Sequence, residues 1–111
     1  SFKTLLAYQK AFDLSMEIFE LSKYFPKEET YSLTDQIEDH KDRFANIAEA
    51  YRKRAYTKHF TSKLSDSDSE NSKTQVWIDF AFSCNYINSK KQINLTNKSI
   101  VVGKLINFMI D

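Results

Sequence analysis

The stretch SDSDSENS, Ser65 to Ser72, decides the fold, because the chain divides differently if it is a linker or part of a helix. Its serine-rich, acidic composition is typical of a low-complexity linker. Its spacing, however, continues the preceding apolar stripe, so its small side chains would mark close helix contact. The positions on that stripe are Phe60, Leu64, Ser67, Asn71, Thr74, Ile78 and Ala81. The spacing favours a third helix from about Thr57 to Cys84, with the linker as the alternative.

The composition predicts one helical domain over residues 1 to 111. The chain has about the length of a single domain. Hydrophobic residues make up 41% and charged residues 28%, which is too apolar for a disordered chain. No run of about eighteen apolar residues could span a bilayer. One glycine and one proline leave few tight turns, so long helices are expected.

A first amphipathic helix is predicted from about Thr4 to Tyr24. Pro26 cannot continue it, because the proline ring removes an amide donor. Two rows of apolar side chains at helical spacing predict one wide apolar face. The first row is Tyr8, Phe12 and Phe19, and the second is Leu14, Ile18, Leu21 and Phe25.

Two further helices complete the predicted fold. One starts near Ser32 and meets no helix breaker before about Ala55. The other follows a short connection, Asn85 to Asn88, and begins at about Lys90 with Ser89 as its cap. Its apolar positions are Ile93, Ile100, Ile106 and Ile110, with Val102, Leu105 and Met109 alongside. Four helices joined by short links predict an all-α fold, an antiparallel up-and-down four-helix bundle.

Charge is unevenly distributed, although the net charge is only +1. Residues 43 to 63 are mainly basic, and residues 65 to 79 are mainly acidic. A basic cluster of this kind can bind the phosphates of RNA or DNA. The candidate nucleic-acid-binding residues are Arg52, Lys53, Arg54, Lys58 and Lys63. The alternative is a solvated helix end, where cations stabilise the negative pole of the helix.

A polar network is predicted in the stretch ANIAEAYRKR, Ala45 to Arg54. Asn46 and Glu49 flank the core stripe of the second helix and need polar partners when buried. Thr74 and Gln75 on the third helix are the expected partners. One asparagine and one glutamate, without a histidine or a second carboxylate, form no catalytic set. A structural network is therefore predicted, with no catalytic residues and no enzyme activity.

The remaining reactive side chains predict no metal site, no cofactor and no small-molecule substrate. His40 and His59 lie nineteen residues apart, which is not the spacing of a helical metal site. Cys84 lacks an adjacent histidine or basic residue, so a buried structural thiol is expected. A single cysteine without a signal-peptide-like leader predicts a cytoplasmic protein with no membrane partner. The aromatic residues expected in the core or in a subunit contact are Trp77, Phe80 and Phe82.

Four stretches of the chain resemble a known protein family. They are YQKAFDL (Tyr8 to Leu14), FPKEETYSLTDQI (Phe25 to Ile37), ANIAEAYRKR and ENSKTQVWIDFAFSCNYI (Glu70 to Ile87). The most specific parts are N-I-A-E at Asn46 to Glu49 and E-x-x-x-T-Q at Glu70 to Gln75. Over nearly the whole chain, they resemble the four-helix-bundle proteins encoded in intervening sequences of bacterial 23S ribosomal RNA genes.

The resemblance implies a four-helix bundle that assembles into a ring, usually a homopentamer, and has no enzymatic activity. It also implies a basic surface proposed to contact RNA or DNA. Accessory proteins of diversity-generating retroelements are similar in fold and bind reverse transcriptase and nucleic acid. The resemblance further implies that SDSDSENS belongs to the third helix.

One departure from the family pattern affects the expected function. Glu38, Asp39 and Asp42 stand in the region where the family usually has a pair of arginines, and this region is about one residue shorter. A one-residue change rotates the later part of a helix by about 100°. The leading hypothesis is an oligomeric, non-catalytic scaffold that binds structured RNA or a ribonucleoprotein. The alternative is a protein-protein interaction module without nucleic-acid binding.

Overall fold

The computed structural model describes residues 2–26, 46, 49 and 57–110, and all regular structure within them is helical. The helices are α1 (Phe2–Ser22), α2 (Thr57–Ser83) and α3 (Ser89–Ile110). The predicted all-α class is thus confirmed. Asn46 and Glu49 are also helical, whereas the rest of the predicted helix from Ser32 lies outside the described residues. The count of four helices stays a prediction.

The stretch Ser65 to Ser72 is helical, so the linker alternative is wrong. It forms the middle of α2, which runs without interruption for 27 residues. The predicted stripe is confirmed from Leu64 onward, because every side chain on it is buried; they are Leu64, Ser67, Asn71, Thr74, Ile78 and Ala81. Small and polar side chains in the middle of the stripe allow close approach to α3. A Cβ atom added at Gly103 of α3 would lie 3.2 Å from Asn71 Nδ2.

Both α1 and α2 pack against α3 and run antiparallel to it. Two hydrophobic clusters establish the directions of the helices. The Trp77 cluster joins the ends of α1 and α2 to the start of α3, and consists of Leu14, Ile18, Trp77, Ile78, Ala81, Ile87 and Leu95. The Leu64 cluster joins earlier parts of α1 and α2 to the end of α3, and consists of Ala11, Leu64, Val102 and Ile106. Within the described ranges, α1 and α2 show no comparable backbone packing against each other.

The chain reverses direction after α2 because the end of that helix is closed by local hydrogen bonds. Tyr86 N donates to Ala81 O, and Asn85 N donates to Phe82 O, each at 2.9 Å. This is the hydrogen-bond pattern of a Schellman motif. Its left-handed position is occupied by Asn85 with a φ of 63°. Asparagine is the residue besides glycine that adopts this conformation most readily.

The start of α3 is capped one residue earlier than the sequence predicts. Lys91 N donates to Asn88 Oδ1 at 2.8 Å, so Asn88 is the cap and the predicted Ser89 is the first residue of the helix. Asparagine caps helices at least as well as serine, because its amide oxygen accepts from an otherwise unpaired backbone amide. The predicted cap was therefore wrong by one position.

Helix α1 buries a narrower face than predicted. The row of Tyr8, Phe12 and Phe19 in the predicted apolar face is not buried, because each side chain keeps more than a third of its surface exposed. Leu14 and Ile18 of the second row are buried as predicted. The buried residues of α1 are Ala7, Ala11, Leu14, Ser15 and Ile18. Two alanines on this face let the helix approach its neighbours more closely than aromatic rings would.

The core stripe of α3 also differs from the predicted row. Ile93 and Ile100 are exposed, whereas Val102 and Ile106 are buried as predicted. Ile93 and Ile106 are thirteen positions apart, or about 220° around a helix, so they cannot share a face. The stripe that is buried consists of Leu95, Ser99, Val102 and Ile106.

Candidate interaction surfaces

The predicted phosphate-binding cluster lies largely outside the described residues. Arg52, Lys53 and Arg54 are not described, and Lys58 is described only as part of the α2 backbone. Lys63 lies on α2 and is half-buried. The structure thus locates one side chain of the predicted cluster, and the phosphate site stays a prediction.

The predicted polar network is described in part. Thr74 is fully buried, and its Oγ1 donates to Glu70 O of the same helix at 3.2 Å. Gln75 is half-buried on α2. Asn46 and Glu49 are helical and half-buried. Hydrogen bonds that would connect these two residues to α2 stay a prediction.

A different polar pair, which the sequence did not predict, joins α2 to α3 in the core. Ser99 Oγ donates to Asn71 Oδ1 at 3.0 Å, and Asn71 Nδ2 donates to Ser99 O at 2.9 Å. Both residues are buried. A shift of one helical turn would leave these buried groups unpaired, so the pair fixes the register of the two helices. Ser99 could have been found because it lies four residues after Leu95 and three before Val102.

An ionic link joins α1 to α3 beside the Trp77 cluster. Lys98 Nζ and Lys91 Nζ donate to the two carboxylate oxygens of Glu17, at 2.6 and 3.3 Å. Partial burial by itself raises the pKa of Glu17, but the hydrogen bonds and positive charges of the two lysines outweigh it. The pKa of Glu17 therefore lies below its ordinary value of 4.5. Because a carboxylate with a lowered pKa stabilises the folded state only when ionised, this contribution is lost as the pH falls through the folded-state pKa.

A cleft of about 320 Å³ opens to solvent next to this ionic link, between α1 and α3. Its walls include two lysines and one aspartate and so carry a net charge of +1. Its volume is near the lower limit of about 300 Å³ for small-molecule sites. It is lined by Lys10, Asp13, Leu14, Asn94, Asn97, Lys98 and Val101. These side chains include no nucleophile with an adjacent base, and the cleft is a solvent-accessible gap between two helices.

Two helices carry long exposed apolar surfaces. The α1 stripe is the row that lies beside the buried face of α1, and consists of Leu5, Tyr8, Phe12, Met16 and Phe19. The α3 outer face lies opposite the buried stripe of α3, and its apolar members are Ile93, Ile100, Val101 and Phe108. The most exposed side chains of the two surfaces are Leu5, at 58%, and Phe108, at 62%. Isolated apolar side chains are normally exposed on a protein surface, but rows of this length are not.

The aromatic residues of α2 separate into buried and exposed members. Trp77 is buried and stacks on Phe25 at 5.5 Å between ring centroids, so the prediction of a core position is confirmed for it. Phe80 and Phe82 are exposed, and a subunit contact stays the prediction for them. Tyr86 completes the group, since its ring lies 5.0 Å from that of Phe25.

Helix α3 carries an excess of positive charge that lies outside the predicted basic cluster. Residues 80 to 110 contain four lysines and no aspartate or glutamate. Lys91 and Lys98 are paired with Glu17, whereas Lys90 and Lys104 are exposed on the outer side of α3. The α3 outer face is consequently both apolar and basic. The signal was readable from the sequence alone, because it needs only a count of charges.

Other site types find no support in the described part of the chain. No cluster of three or more histidine, cysteine, aspartate or glutamate side chains there could hold a metal ion. Cys84 is a partly buried free thiol. None of the described helices combines the length and hydropathy that crossing a membrane requires.

These features define an all-helical fold with a partly polar core and, in the part of the chain that the structure describes, long exposed apolar surfaces on α1 and α3. The chain belongs to the 23S rRNA-intervening sequence protein family, whose model matches residues 3–108. A crystal structure of a protein of unknown function from the S23 ribosomal protein family of Bacteroides thetaiotaomicron is similar in fold, with a TM-score of 0.83. The two chains are 23% identical, and the similarity covers 97% of each. No curated protein matches the chain.

Proposed function

We propose that this protein is a non-catalytic helical scaffold that assembles with copies of itself into a ring of five subunits. The observation that carries the proposal is the α1 stripe, where five large apolar side chains stay exposed along about 21 Å of helix. Monomeric proteins rarely leave such continuous apolar surfaces in water, and larger ones mark interaction sites. The resemblance to ring-forming relatives supports the number of subunits.

The scaffold is proposed to be an antiparallel four-helix bundle. Both α1 and α2 pack on α3. A further helix that packs against α1 and α2, opposite α3, would complete the bundle. The helical state of Asn46 and Glu49 supports a helix in the predicted segment from Ser32 to about Ala55. Such a helix would run antiparallel to α1 and α2, as short connections require.

The proposed ligand is structured RNA or a ribonucleoprotein in the cytoplasm. The basic segment from residue 43 to 63 supports this assignment, because lysine and arginine side chains neutralise phosphates and release counterions. Five copies of the segment around a ring would bind an extended polyanion with high avidity, because linked sites act at high effective concentration. The proposed contact residues are Arg52, Lys53, Arg54, Lys58 and Lys63.

Binding of the purified protein to a structured RNA across a salt series tests the ligand. Changing Arg52, Lys53 and Arg54 together to alanine should make the slope of log affinity against log salt concentration less steep by about two to three. Each lost phosphate contact accounts for about 0.7 to 0.9 of this change in slope. A charge-matched control variant, which should keep the wild-type slope, replaces three exposed lysines elsewhere: Lys10, Lys23 and Lys73. If the two variants have equal slopes, the basic segment does not contact the phosphates of the RNA.

The alternative function is a protein-protein interaction module without nucleic-acid affinity. The exposed apolar surfaces and the net charge of +1 favour it. The salt series distinguishes the two functions. A protein partner held by apolar contacts would be captured almost independently of salt, while the wild-type protein would bind no RNA even at low salt.

A further inference from the structure

The cleft between α1 and α3 has one wall on each helix, and each wall follows helical spacing. On α1, Lys10 lies three residues before Asp13 and four before Leu14, so the three side chains share a face. The side chains from α3, at the same kind of spacing, are Asn94, Asn97, Lys98 and Val101. Because the two helices are antiparallel and packed on each other, both walls enclose one volume of about 320 Å³. The sequence did not predict this cleft, because its walls come from opposite ends of the chain.

The charges available in the cleft reduce to one cation and one carboxylate. Lys98 Nζ donates to Glu17 Oε2 at 2.6 Å, so this ammonium group already has a counterion. Lys10 makes no hydrogen bond or ion pair within the described residues. Asp13 accepts a hydrogen bond from Gln9 Nε2 through Oδ1 at 3.0 Å, which leaves Oδ2 available. A ligand therefore meets one uncompensated positive group and one carboxylate oxygen on neighbouring turns of α1.

The rest of the lining supplies neutral hydrogen-bonding groups and an apolar surface. The side-chain amides of Asn94 and Asn97 have no hydrogen-bond partner in the part of the chain that the structure describes. Each amide can donate two hydrogen bonds and accept two. The apolar members of the lining are Leu14, which is buried in the Trp77 cluster, and Val101, which is exposed. Opposite charges, amides and an apolar surface thus converge on one small volume.

We infer that the cleft binds a small zwitterion with an apolar side chain, which is the chemistry of a free α-amino acid. Its carboxylate pairs with Lys10 and its ammonium group with Asp13, while its side chain lies on Leu14 and Val101. The two charged groups of an α-amino acid flank one carbon atom, so they can reach partners one helical turn apart, whose Cβ atoms are about 5 to 6 Å apart. A simple anion or cation would satisfy only one of the two partners. Binding here requires neither the proposed assembly nor RNA.

An NMR titration of the isotope-labelled protein with L-phenylalanine tests the site. At the ligand efficiency of ordinary small molecules, about twelve non-hydrogen atoms give a Kd on the order of 1 mM. The expected result is a saturable shift of backbone amide signals on both walls, in residues 10–14 and 94–101. Shifts confined to other residues, or shifts that do not saturate, would overturn the inference.

Two analogues of L-phenylalanine test whether the cleft recognises both charges. Phenethylamine lacks the carboxylate, and hydrocinnamate lacks the ammonium group. Each should bind about two- to fivefold more weakly than L-phenylalanine, because one solvent-exposed ion pair contributes a factor of about this size. If all three ligands have the same Kd, the cleft does not select a zwitterion and the inference is wrong.

Two variants test which side chain pairs with each charge. Lys10→Met should weaken the binding of L-phenylalanine and hydrocinnamate by about two- to fivefold, but not that of phenethylamine. Asp13→Asn should weaken L-phenylalanine and phenethylamine by a similar factor, but not hydrocinnamate. The charge-matched controls, Lys90→Met and Asp66→Asn, alter exposed side chains outside the cleft and should bind all three ligands as the wild-type protein does. A cleft variant that weakens all three ligands equally, or none of them, would contradict the assigned pairs.

Discussion

Two neighbouring parts of the core, the Trp77 cluster and the polar pair of Asn71 and Ser99, stabilise the fold in different ways. The cluster is wholly apolar and joins all three described helices, whereas the pair connects only α2 and α3. Apolar burial is not directional and tolerates small shifts, but a hydrogen-bonded pair is satisfied in one register. The Trp77 cluster therefore stabilises the packing of the three helices, and the polar pair specifies how α2 and α3 align.

The polar region also has an energetic cost that the apolar cluster does not have. Ser67 Oγ is fully buried and has no hydrogen-bond partner among the described residues. Removing a hydroxyl from water without a compensating hydrogen bond costs about 1 to 3 kcal/mol by mutational measures. Retaining small polar residues along the middle of α2 is consistent with selection for register rather than for maximal stability.

The largest expected effect comes from a truncation in the Trp77 cluster. Ile78→Ala should lower the free energy of unfolding by about 2 to 5 kcal/mol, because Ile78 is fully buried and the truncation leaves a cavity. Trp77 fluorescence during chemical denaturation measures the change, since the single tryptophan of the chain is buried in this cluster. Val76→Ala on the exposed side of α2 is the control, with an expected change within about 0.5 kcal/mol. Equal effects of the two variants would show that the cluster does not dominate stability.

A smaller effect is expected from the polar pair, and its diagnostic feature is coupling. Asn71→Ala and Ser99→Ala should each cost about 1 to 3 kcal/mol, because each leaves a buried group of the other residue without its partner. The double variant should cost less than the sum of the two, by about 0.5 to 3 kcal/mol. Strictly additive costs would contradict the assignment of a shared register-fixing interaction.

The same contrast explains which parts of the fold could be predicted from the sequence. The stripe of α2 was predictable because helical spacing identifies the positions on one face regardless of residue type. Leu64, Asn71 and Ile78 all lie on that face. On α1 the prediction treated apolar side chains at helical spacing as one apolar face, but close packing against α3 selects Ala7 and Ala11 for burial. How closely two helices approach is a tertiary property that periodicity does not contain.

The candidate surfaces were predicted less well than the helices. The basic cluster near Arg52 rests on a local concentration of charge, and the sequence marks it clearly. The α3 outer face was missed because its lysines are spread over fifteen residues. Its positive charge is evident only from the lack of carboxylates between residues 80 and 110. Exposed apolar rows are also misleading in a sequence, since Tyr8 and Phe12 have the same spacing as core residues.

The ionic link of Glu17 adds a third kind of contact, at the surface of the Trp77 cluster, and its effect should depend on pH. Glu17→Gln should cost about 1 kcal/mol or less at pH 7, because both lysines are partly exposed to solvent and screening weakens the pairs. The wild-type protein loses this stabilisation as the pH falls below 4.5 through the lowered pKa of Glu17. The difference between variant and wild type should therefore disappear in acid. Glu20→Gln, which alters a carboxylate in an exposed pair with Lys23, is the control and should change stability little at either pH.

The smallest expected effect, at Gly103, tests how tightly the polar pair is packed. Alanine is favoured over glycine inside a helix by about 1 kcal/mol. In the wild-type protein the added Cβ would lie 3.2 Å from Asn71 Nδ2, so the amide must shift away from its hydrogen bond with Ser99 O. Gly103→Ala should therefore leave the stability unchanged or slightly lower. In an Asn71→Ala background the obstacle is absent, and the same substitution should raise the free energy of unfolding by up to about 1 kcal/mol.

A change of sign between the two backgrounds would show that the register of α2 and α3 depends on the space that Gly103 leaves for the Asn71 amide. If Gly103→Ala instead stabilised both backgrounds equally, Asn71 could move without cost, and the polar pair would be no more specific than the apolar cluster. The measurement requires only two pairs of denaturation curves.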